Sequence, residues 1–177
     1  AWVFWLWLAT GRPPATHTAA APEPTTDMTR LRLGAWFLMV LTFVQSAWGA
    51  FMAGTRSGVV APTFPDMNGG FLPPGLTWAE VLSSASVNAP LAIHFTHRLI
   101  AYVLAIVALG WAVQVWRRGA TSAQRNVGLA LGVTVLLQVT LGALTVLHLV
   151  PITLAVAHQG VGFAMISILA WGLAELR

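Results

Sequence analysis

Two histidines in this sequence, His97 and His158, lie within long apolar segments. An ionisable side chain inside a membrane helix needs a partner that lipid cannot supply, so it indicates a functional site by default. Two imidazoles on facing helices of a bundle can bind the iron of a haem from both sides, and the chain has no cysteine that offers a thiolate instead. The first hypothesis is therefore a bis-histidine haem site. On spacing alone the alternative stays open that both histidines only form hydrogen bonds between helices.

Further polar residues close to His97 are candidates for the same site. Arg98 follows it directly near a membrane surface, where it can extend to the interface or pair with a haem propionate, and we expect the propionate. His94 lies three residues before His97 on nearly the same helix face. It can line the pocket, carry protons or act as an alternative ligand. The alternative is an interfacial histidine that is bonded to the loop. His148, beside Pro151, is expected to be a helix-boundary residue. The sequence shows no carboxylate-rich or thiolate-rich ligand cluster of the kind that binds zinc.

Four apolar segments position these side chains. Hydrophobic residues make up 57% of the 177 residues and charged residues only 8%, which is a membrane composition rather than that of a soluble domain. A helix needs about 20 apolar residues to cross a hydrocarbon core of about 30 Å. The segments of this length are 33–53, 90–115, 127–148 and 152–173. The predicted fold class is an all-α integral membrane protein, with a bundle of four transmembrane helices in a domain over residues 32–177.

The distribution of arginine predicts how these helices are oriented. The formal net charge is +4, and the sequence contains no lysine. Seven arginines lie at connections that belong to one side of the membrane: Arg12, Arg30, Arg32, Arg117, Arg118, Arg125 and Arg177. Because only Arg56 and Arg98 remain for the other side, the positive-inside rule puts the C-terminus in the cytoplasm and the loop 54–89 outside. Arginines in short membrane loops indicate orientation and not nucleic-acid binding, so the expected surroundings are membrane lipid.

The first 31 residues differ from the apolar segments. Residues 1–9 are too few to cross a membrane, and they lack the basic start of a signal peptide, so we expect the tail of a preceding transmembrane helix. A short interfacial segment rich in tryptophan is the alternative. Residues 10–31 are rich in Pro, Thr and Ala and are expected to form a cytoplasmic linker. In the outer loop, Thr77 and Glu80 have capping-box spacing, which predicts a short helix.

A short signature, Gln-x-x-x-Gly-Ala, occurs in the first and third apolar segments, at 45–50 and 138–143. Both glutamines lie about 18 Å from the start of their helix, which indicates a tandem duplication of a helix pair. The second and fourth helices are then equivalent. They place His97 and His158 about 10 Å below the outer surface, where the two can face each other. Small residues that leave room for a flat macrocycle or a close helix surround the second histidine: Ala155, Ala157, Gly160, Gly162 and Ala164.

Several motifs occur in a characteristic order: Gly49-Ala50-Phe51-Met52-Ala53-Gly54, then Pro62-Thr63-Phe64-Pro65-Asp66-Met67-Asn68-Gly69, then Asn88 ahead of His94-Phe95-Thr96-His97-Arg98-Leu99-Ile100-Ala101-Tyr102, and His158-Gln159. Over residues 33–173 this order resembles the C-terminal half of haem A synthase. The resemblance implies one half of an eight-helix tandem repeat, with His97 and His158 as axial ligands of a b-type haem (haem b). It also implies membership in a family that oxidises a ring methyl group of haem O to the formyl group of haem A.

The resemblance further implies that the haem O substrate, and a carboxylate three residues before the His-Arg motif, belong to an N-terminal half that this chain does not contain. Here the matching position is His94, which is not an acid, so the catalytic residues stay unknown. Implied partners are haem O, with haem O synthase and cytochrome oxidase assembly factors, and the implied location is a bacterial plasma membrane. The alternatives are a cytochrome b-type electron carrier or haem-binding anchor without catalysis, and half of a small transporter, suggested by the repeat and its glutamines.

Overall fold

The computed structural model describes residues 26–83 and 89–177 as an assembly of helices. In chain order these are α1 (Thr26–Gly54), the short α2 (Trp78–Leu82), α3 (Pro90–Arg118), α4 (Ser122–Leu147) and α5 (Ile152–Glu175). A further single turn of 3-10 helix covers Ser57–Val59. Helices α1, α3, α4 and α5 are long and apolar enough to cross a membrane. The prediction of an all-α membrane protein with four transmembrane helices is therefore confirmed.

The helices are longer than the apolar segments that predicted them. Helix α1 begins at Thr26, so residues 26–31, predicted as linker, are helical, and α3 continues to Arg118. Helix α4 begins at Ser122 because Thr121 and Gln124 form a capping box. Hydropathy finds only the part of a helix that lies in hydrocarbon, whereas backbone hydrogen bonds extend each helix into the polar interface. The predicted helix tail over residues 1–9 and the linker over residues 10–25 lie outside the described residues.

The four long helices form a ring of neighbours. Helix α1 packs against α3 and α5, and α4 packs against the same two helices. Helices α3 and α5 are therefore diagonal partners across the bundle, as are α1 and α4. Because α3 carries His97 and α5 carries His158, both histidines lie on helices that face the bundle centre from opposite sides.

An apolar core fills the half of the bundle where α1 and α4 begin and α3 and α5 end. Leu38, Val115, Leu131 and Leu169, one from each long helix, are almost completely buried there. Side chains of this half also bond directly to neighbouring helix backbones. Trp111 donates its indole Nε1–H to the carbonyl of Leu31 at 2.8 Å, which joins α3 to α1. Close packing at this end therefore joins all four long helices.

The same end of the bundle carries most of the charge. The exposed side chains of Arg118 and Asp27 form an ion pair at 3.4 Å. The side-chain amide of Gln124 donates to the backbone carbonyl of Glu175 at 2.9 Å. The arginines at these helix ends are Arg30, Arg32, Arg117, Arg118, Arg125 and Arg177. The charge asymmetry that the sequence indicates is therefore an asymmetry between the two ends of the folded bundle.

The long loop after α1 packs onto the start of α3. Ala61, Met67 and Leu76 of the loop form an apolar cluster with Ala92 and Phe95 of α3. The ring of Phe95 makes edge contacts with Phe71 and Trp78, with centroids 5.9 and 5.5 Å away. The predicted capping box of α2 is confirmed. The side chain of Thr77 accepts a hydrogen bond from the backbone N–H of Glu80, and the side chain of Glu80 accepts one from the backbone N–H of Thr77. The loop thus covers the helix end nearest His97.

Candidate functional site

The bundle is packed less tightly around the two histidines than in its core. Residues 43–54 of α1 and 152–164 of α5 include no fully buried side chain, and both His97 and His158 are half-buried. The two imidazoles are close enough for an electrostatic interaction between them. The structure therefore brings together the two histidines predicted from the sequence, in a part of the bundle where the side chains of α1 and α5 are less buried than in the core.

His158 is held by the backbone of α4. Its Nδ1 lies 3.1 Å from the carbonyl oxygen of Gln138. A carbonyl oxygen can only accept, so Nδ1 carries the ring proton and Nε2 keeps its lone pair. The side-chain amide nitrogen of Gln138 lies 3.4 Å from this Nε2 and can donate to it. His158 is therefore set in the tautomer in which Nε2 is the available ligand atom.

His97 is held by a side chain of α1 instead. The amide Nε2 of Gln45 donates to the backbone carbonyl of His97 at 3.0 Å, and it lies 3.2 Å from both ring nitrogens, Nδ1 and Nε2. The equal distances leave the ring tautomer open. Both glutamines belong to the repeat signature of the sequence, but their contacts with the histidines appear only in the structure. The sequence signal for these contacts was that the repeated glutamines, Gln45 and Gln138, occur in a chain that also carries a repeated pair of histidines.

The glycines of the two signatures make room for the imidazoles. A Cβ atom on Gly142 would lie 2.9 Å from Cε1 of His158, and one on Gly49 would lie 3.1 Å from Cε1 of His97. In contrast, a Cβ atom on Gly160 would have no neighbour within 4 Å. The small residues around His158 were expected to leave room either for a flat macrocycle or for a close neighbouring helix. No helix packs closely against Gly160 among the described residues. The glycines that fit the histidines lie on the neighbouring helices α1 and α4.

Arg98 is buried and faces the loop. Its Nη2 donates to the carbonyls of Ala61 and Thr63 at 3.2 and 2.6 Å, and its Nη1 donates to the carbonyl of Asp66 at 2.8 Å. The ring of Phe64 lies 5.8 Å from the guanidinium carbon. With the bond from Nε to His94, these contacts use four of the five N–H donors of the guanidinium, so one N–H of Nη1 is left for the propionate contact that the sequence suggested. The geometry favours Arg98 as the residue that anchors the loop to α3.

His94 belongs to the same loop anchor. It is completely buried, and its Nε2 accepts a hydrogen bond from Nε of Arg98 at 3.2 Å. Its Nδ1 points towards the backbone of Ser57 without a well-formed hydrogen bond. The hydrogen bond of His94 is therefore to Arg98 of its own helix, and it is linked to the loop through the bonds that Arg98 makes. This position beneath the loop is closest to the alternative of an interfacial histidine at the loop. His148 is exposed and forms the C-cap of α4, as expected of a helix-boundary residue. Its Nδ1 lies 2.9 Å from the carbonyl oxygen of Leu144.

The residues at the histidine pair fit a haem better than a bare metal ion. Within residues 26–83 and 89–177, no group of three or more His, Cys, Asp or Glu side chains could hold a metal ion. A haem brings four nitrogen ligands of its own and needs only two from the protein, on opposite sides. The buried Oε1 atoms of Gln45 and Gln138 have no partner among the described residues, so two acceptors close to the histidines are unused.

Comparisons with known proteins find related sequences. The sequence model of a family described as cytochrome oxidase assembly protein matches residues 1–170. A haem A synthase of Rhodospirillum centenum is 39% identical over 161 residues, which is 90% of this chain and 42% of that protein. The haem A synthases of Sphingopyxis alaskensis and Rhodopseudomonas palustris are 35% and 37% identical, over 89% and 84% of this chain.

The matches cover less than half of these relatives. The shares are 42%, 43% and 40% of the proteins from R. centenum, S. alaskensis and R. palustris. The chain therefore spans about two fifths of the length of the curated relatives that it matches. No solved structure matches the chain.

Proposed function

Because the chain belongs to the family of cytochrome oxidase assembly proteins, we propose that it forms the haem-binding four-helix unit of a haem A synthase. In this unit His97 and His158 are the axial ligands of a b-type haem. The relatives that are named haem A synthase supply the expected reaction, the oxidation of haem O to haem A. The family description supplies the setting, which is the assembly of cytochrome oxidase.

The observation that carries this proposal is the repeated arrangement around the two histidines. Each lies on one of two diagonal helices, each contacts a glutamine of the neighbouring helix, and each ring faces a glycine four residues after that glutamine. An internal repeat that presents the same side chains from opposite sides can hold a ligand of near two-fold symmetry, such as a porphyrin, at the repeat interface.

The residues of this chain hold and orient the cofactor. When bound, a haem with two axial histidines carries single electrons. His158 presents Nε2 because its Nδ1–H donates to the carbonyl of Gln138. The anchor of Arg98 on Thr63 keeps the outer loop packed on α3 next to His97. No described side chain is assigned to the oxidation of the substrate, and His94 is engaged by Arg98.

In this proposal the unit is part of an oxidoreductase whose substrate is haem O. The substrate, and the residues that oxidise it, lie outside the part of the haem A synthase that this chain spans. Haem O synthase and other assembly factors of cytochrome oxidase are the proposed partners. The arginine-bearing end of the bundle faces the cytoplasm, and the loop packed on α3 lies on the outer side of a bacterial plasma membrane.

Absorption spectroscopy of the chain in lipid nanodiscs tests the haem assignment. We expect the wild type to show the low-spin spectrum of a haem with two histidine ligands, and His97→Ala or His158→Ala to lose it. His148→Ala is the control, because His148 is exposed and its ring bonds to a carbonyl of its own helix. An unchanged spectrum in His97→Ala or His158→Ala would rule out the assignment.

Extraction of the pigments, after membrane expression of the chain together with the N-terminal half of a related haem A synthase, tests the reaction class. Haem O or haem A bound with haem b supports a haem A synthase. Haem b alone would instead support a cytochrome b-type electron carrier. The absence of any haem absorption would contradict both and leave the transporter alternative.

A further inference from the structure

We propose that Gln45 is the positioning residue of His97, and that its carboxamide oxygen accepts the Nδ1–H of His97 when Nε2 of that ring binds iron. In this role the side chain of Gln45 does for His97 what the backbone carbonyl of Gln138 does for His158. The inference rests on the proposed function, because it concerns the ligand state of His97.

The comparison with His158 defines what His97 lacks. Histidine ligands of metals nearly always donate their second ring nitrogen to an acceptor, which fixes the ring and raises its basicity. For His158 this acceptor is present, since Nδ1 lies 3.1 Å from the carbonyl of Gln138. For His97, among the hydrogen bonds within residues 26–83 and 89–177, both contacts to the ring nitrogens come from the amide of Gln45. Gln45 is therefore the side chain placed to supply the acceptor.

The amide of Gln45 has the atom that this role requires. Its Oε1 is buried and has no hydrogen-bond partner among the described residues, although a buried acceptor without a partner is unfavourable. Rotation of the carboxamide about its last torsion exchanges oxygen for nitrogen, which brings Oε1 to the position now 3.2 Å from Nδ1 of His97. The amide nitrogen now lies 3.0 Å from the carbonyl oxygen of His97, so the carboxamide must also tilt away from this carbonyl as Oε1 turns towards Nδ1. The carbonyl loses the bond to Gln45 but keeps its hydrogen bond within α3.

Gln138 provides a matched control within the same protein. Its amide nitrogen lies 3.4 Å from Nε2 of His158, and its Oε1 is also buried without a partner. Its side chain is nevertheless not required as an acceptor, because the backbone carbonyl of the same residue already holds Nδ1. Substitution of the Gln138 side chain leaves that carbonyl in place. The two repeat-equivalent glutamines should therefore differ in their importance for the adjacent ligand.

Haem titration of the metal-free chain in nanodiscs compares the two glutamines. We expect Gln45→Met to weaken haem binding about 10-fold or more, the effect usual for loss of a partner of a ligand histidine, while Gln138→Met binds nearly as tightly as the wild type. Gln45→Glu keeps an acceptor, so it should retain the haem. Its carboxyl group accepts more strongly than an amide and raises the basicity of His97, so the reduction potential should shift to lower values.

Equal losses in Gln45→Met and Gln138→Met, or no loss in either, would overturn the inference. The bis-histidine spectrum of the wild type would in that case still support the proposed function. A wild type without this spectrum would instead overturn the proposed function, so the two failures can be told apart.

Nitrogen NMR of the metal-free chain, labelled with 15N at histidine, gives a second readout that does not depend on bound haem. His158 should show the Nδ1–H tautomer in the wild type and in Gln138→Met. The tautomer ratio of His97 should change in Gln45→Met and not in Gln138→Met. An unchanged ratio in Gln45→Met would contradict the assignment of Gln45 as the partner of the His97 ring.

Discussion

Gly142 lies directly against the imidazole of His158, and a Cβ atom at this glycine would be 2.9 Å from Cε1 of the ring. Real Cβ atoms do not approach a neighbour this closely, so the ring or the helix would have to shift. The ring cannot turn freely, because Nδ1 is bonded to the carbonyl of Gln138 at 3.1 Å. The absence of a side chain at Gly142 is therefore a condition for the observed position of His158.

We expect Gly142→Ala to displace His158 and to reduce the amount of bound haem, measured as haem per protein after purification. Gly49→Ala should have a smaller effect, because its Cβ would lie 3.1 Å from Cε1 of His97. Gly110→Ala is the control, since a Cβ there would have no neighbour within 4 Å. A haem content in Gly142→Ala equal to that of Gly110→Ala would contradict the steric argument.

Arg98 should be necessary for the folded state of the outer loop. Arg98→Lys keeps the charge but cannot reproduce the planar fork that reaches Thr63 and Asp66, so we expect a loss of about 1–3 kcal/mol in the free energy of unfolding. Thermal unfolding gives this value, and hydrogen exchange at residues 57–67 locates the change. Arg56→Lys is the matched control, because Arg56 is exposed. Similar effects of both substitutions would show that Arg98 does not anchor the loop.

The stability of α2 should depend on pH through Glu80. Hydrogen bonds from the side chain and backbone of Thr77 lower the pKa of the Glu80 carboxyl from its ordinary value. A lowered folded-state pKa contributes stability that is present above the unfolded-state value and is lost as the pH falls through the folded-state value. Trp78 fluorescence should therefore report loosening of α2 in acid. Glu80→Gln should keep the capping box and remove this pH dependence, and a transition that persists in this variant would assign it elsewhere.

The arginine-bearing end of the bundle should be sensitive to the size of residue 34. A Cβ atom on Gly34 would lie 2.6 Å from Cδ1 of Trp111, whose indole is fixed by its bond to the carbonyl of Leu31. We expect Gly34→Ala to destabilise the chain by about 1–3 kcal/mol, the usual range for overpacking, as measured by thermal unfolding. Gly132→Ala is the control, because its Cβ would make an ordinary contact at 3.9 Å. Equal stability of both variants would contradict the close packing of α1 on α3.

The sequence predicted the four membrane helices, but not where all of them end. Composition was sufficient for their number, because a backbone in lipid must satisfy its own hydrogen bonds and apolar runs of sufficient length have few other solutions. Helix ends lie in the polar interface, where hydropathy carries no signal. The capping boxes at Thr77 and Thr121 are exceptions, because their residue spacing marks a helix start in the sequence. The helix start at Thr77 was predicted from this spacing, and the one at Thr121 was not predicted.

The sequence alone therefore determined an all-α membrane chain. It also predicted His97 and His158 at one depth on repeat-equivalent helices, because helical rise converts residue number into depth. Only the tertiary structure decided which side chains these histidines meet. Gln45 and Gly49 meet His97, Gln138 and Gly142 meet His158, and Arg98 bonds to the loop. Membrane helices are apolar on the faces towards lipid and towards the core, so periodicity does not show which face points inward. Partner choice depends on helix rotation and neighbour order, which packing fixes.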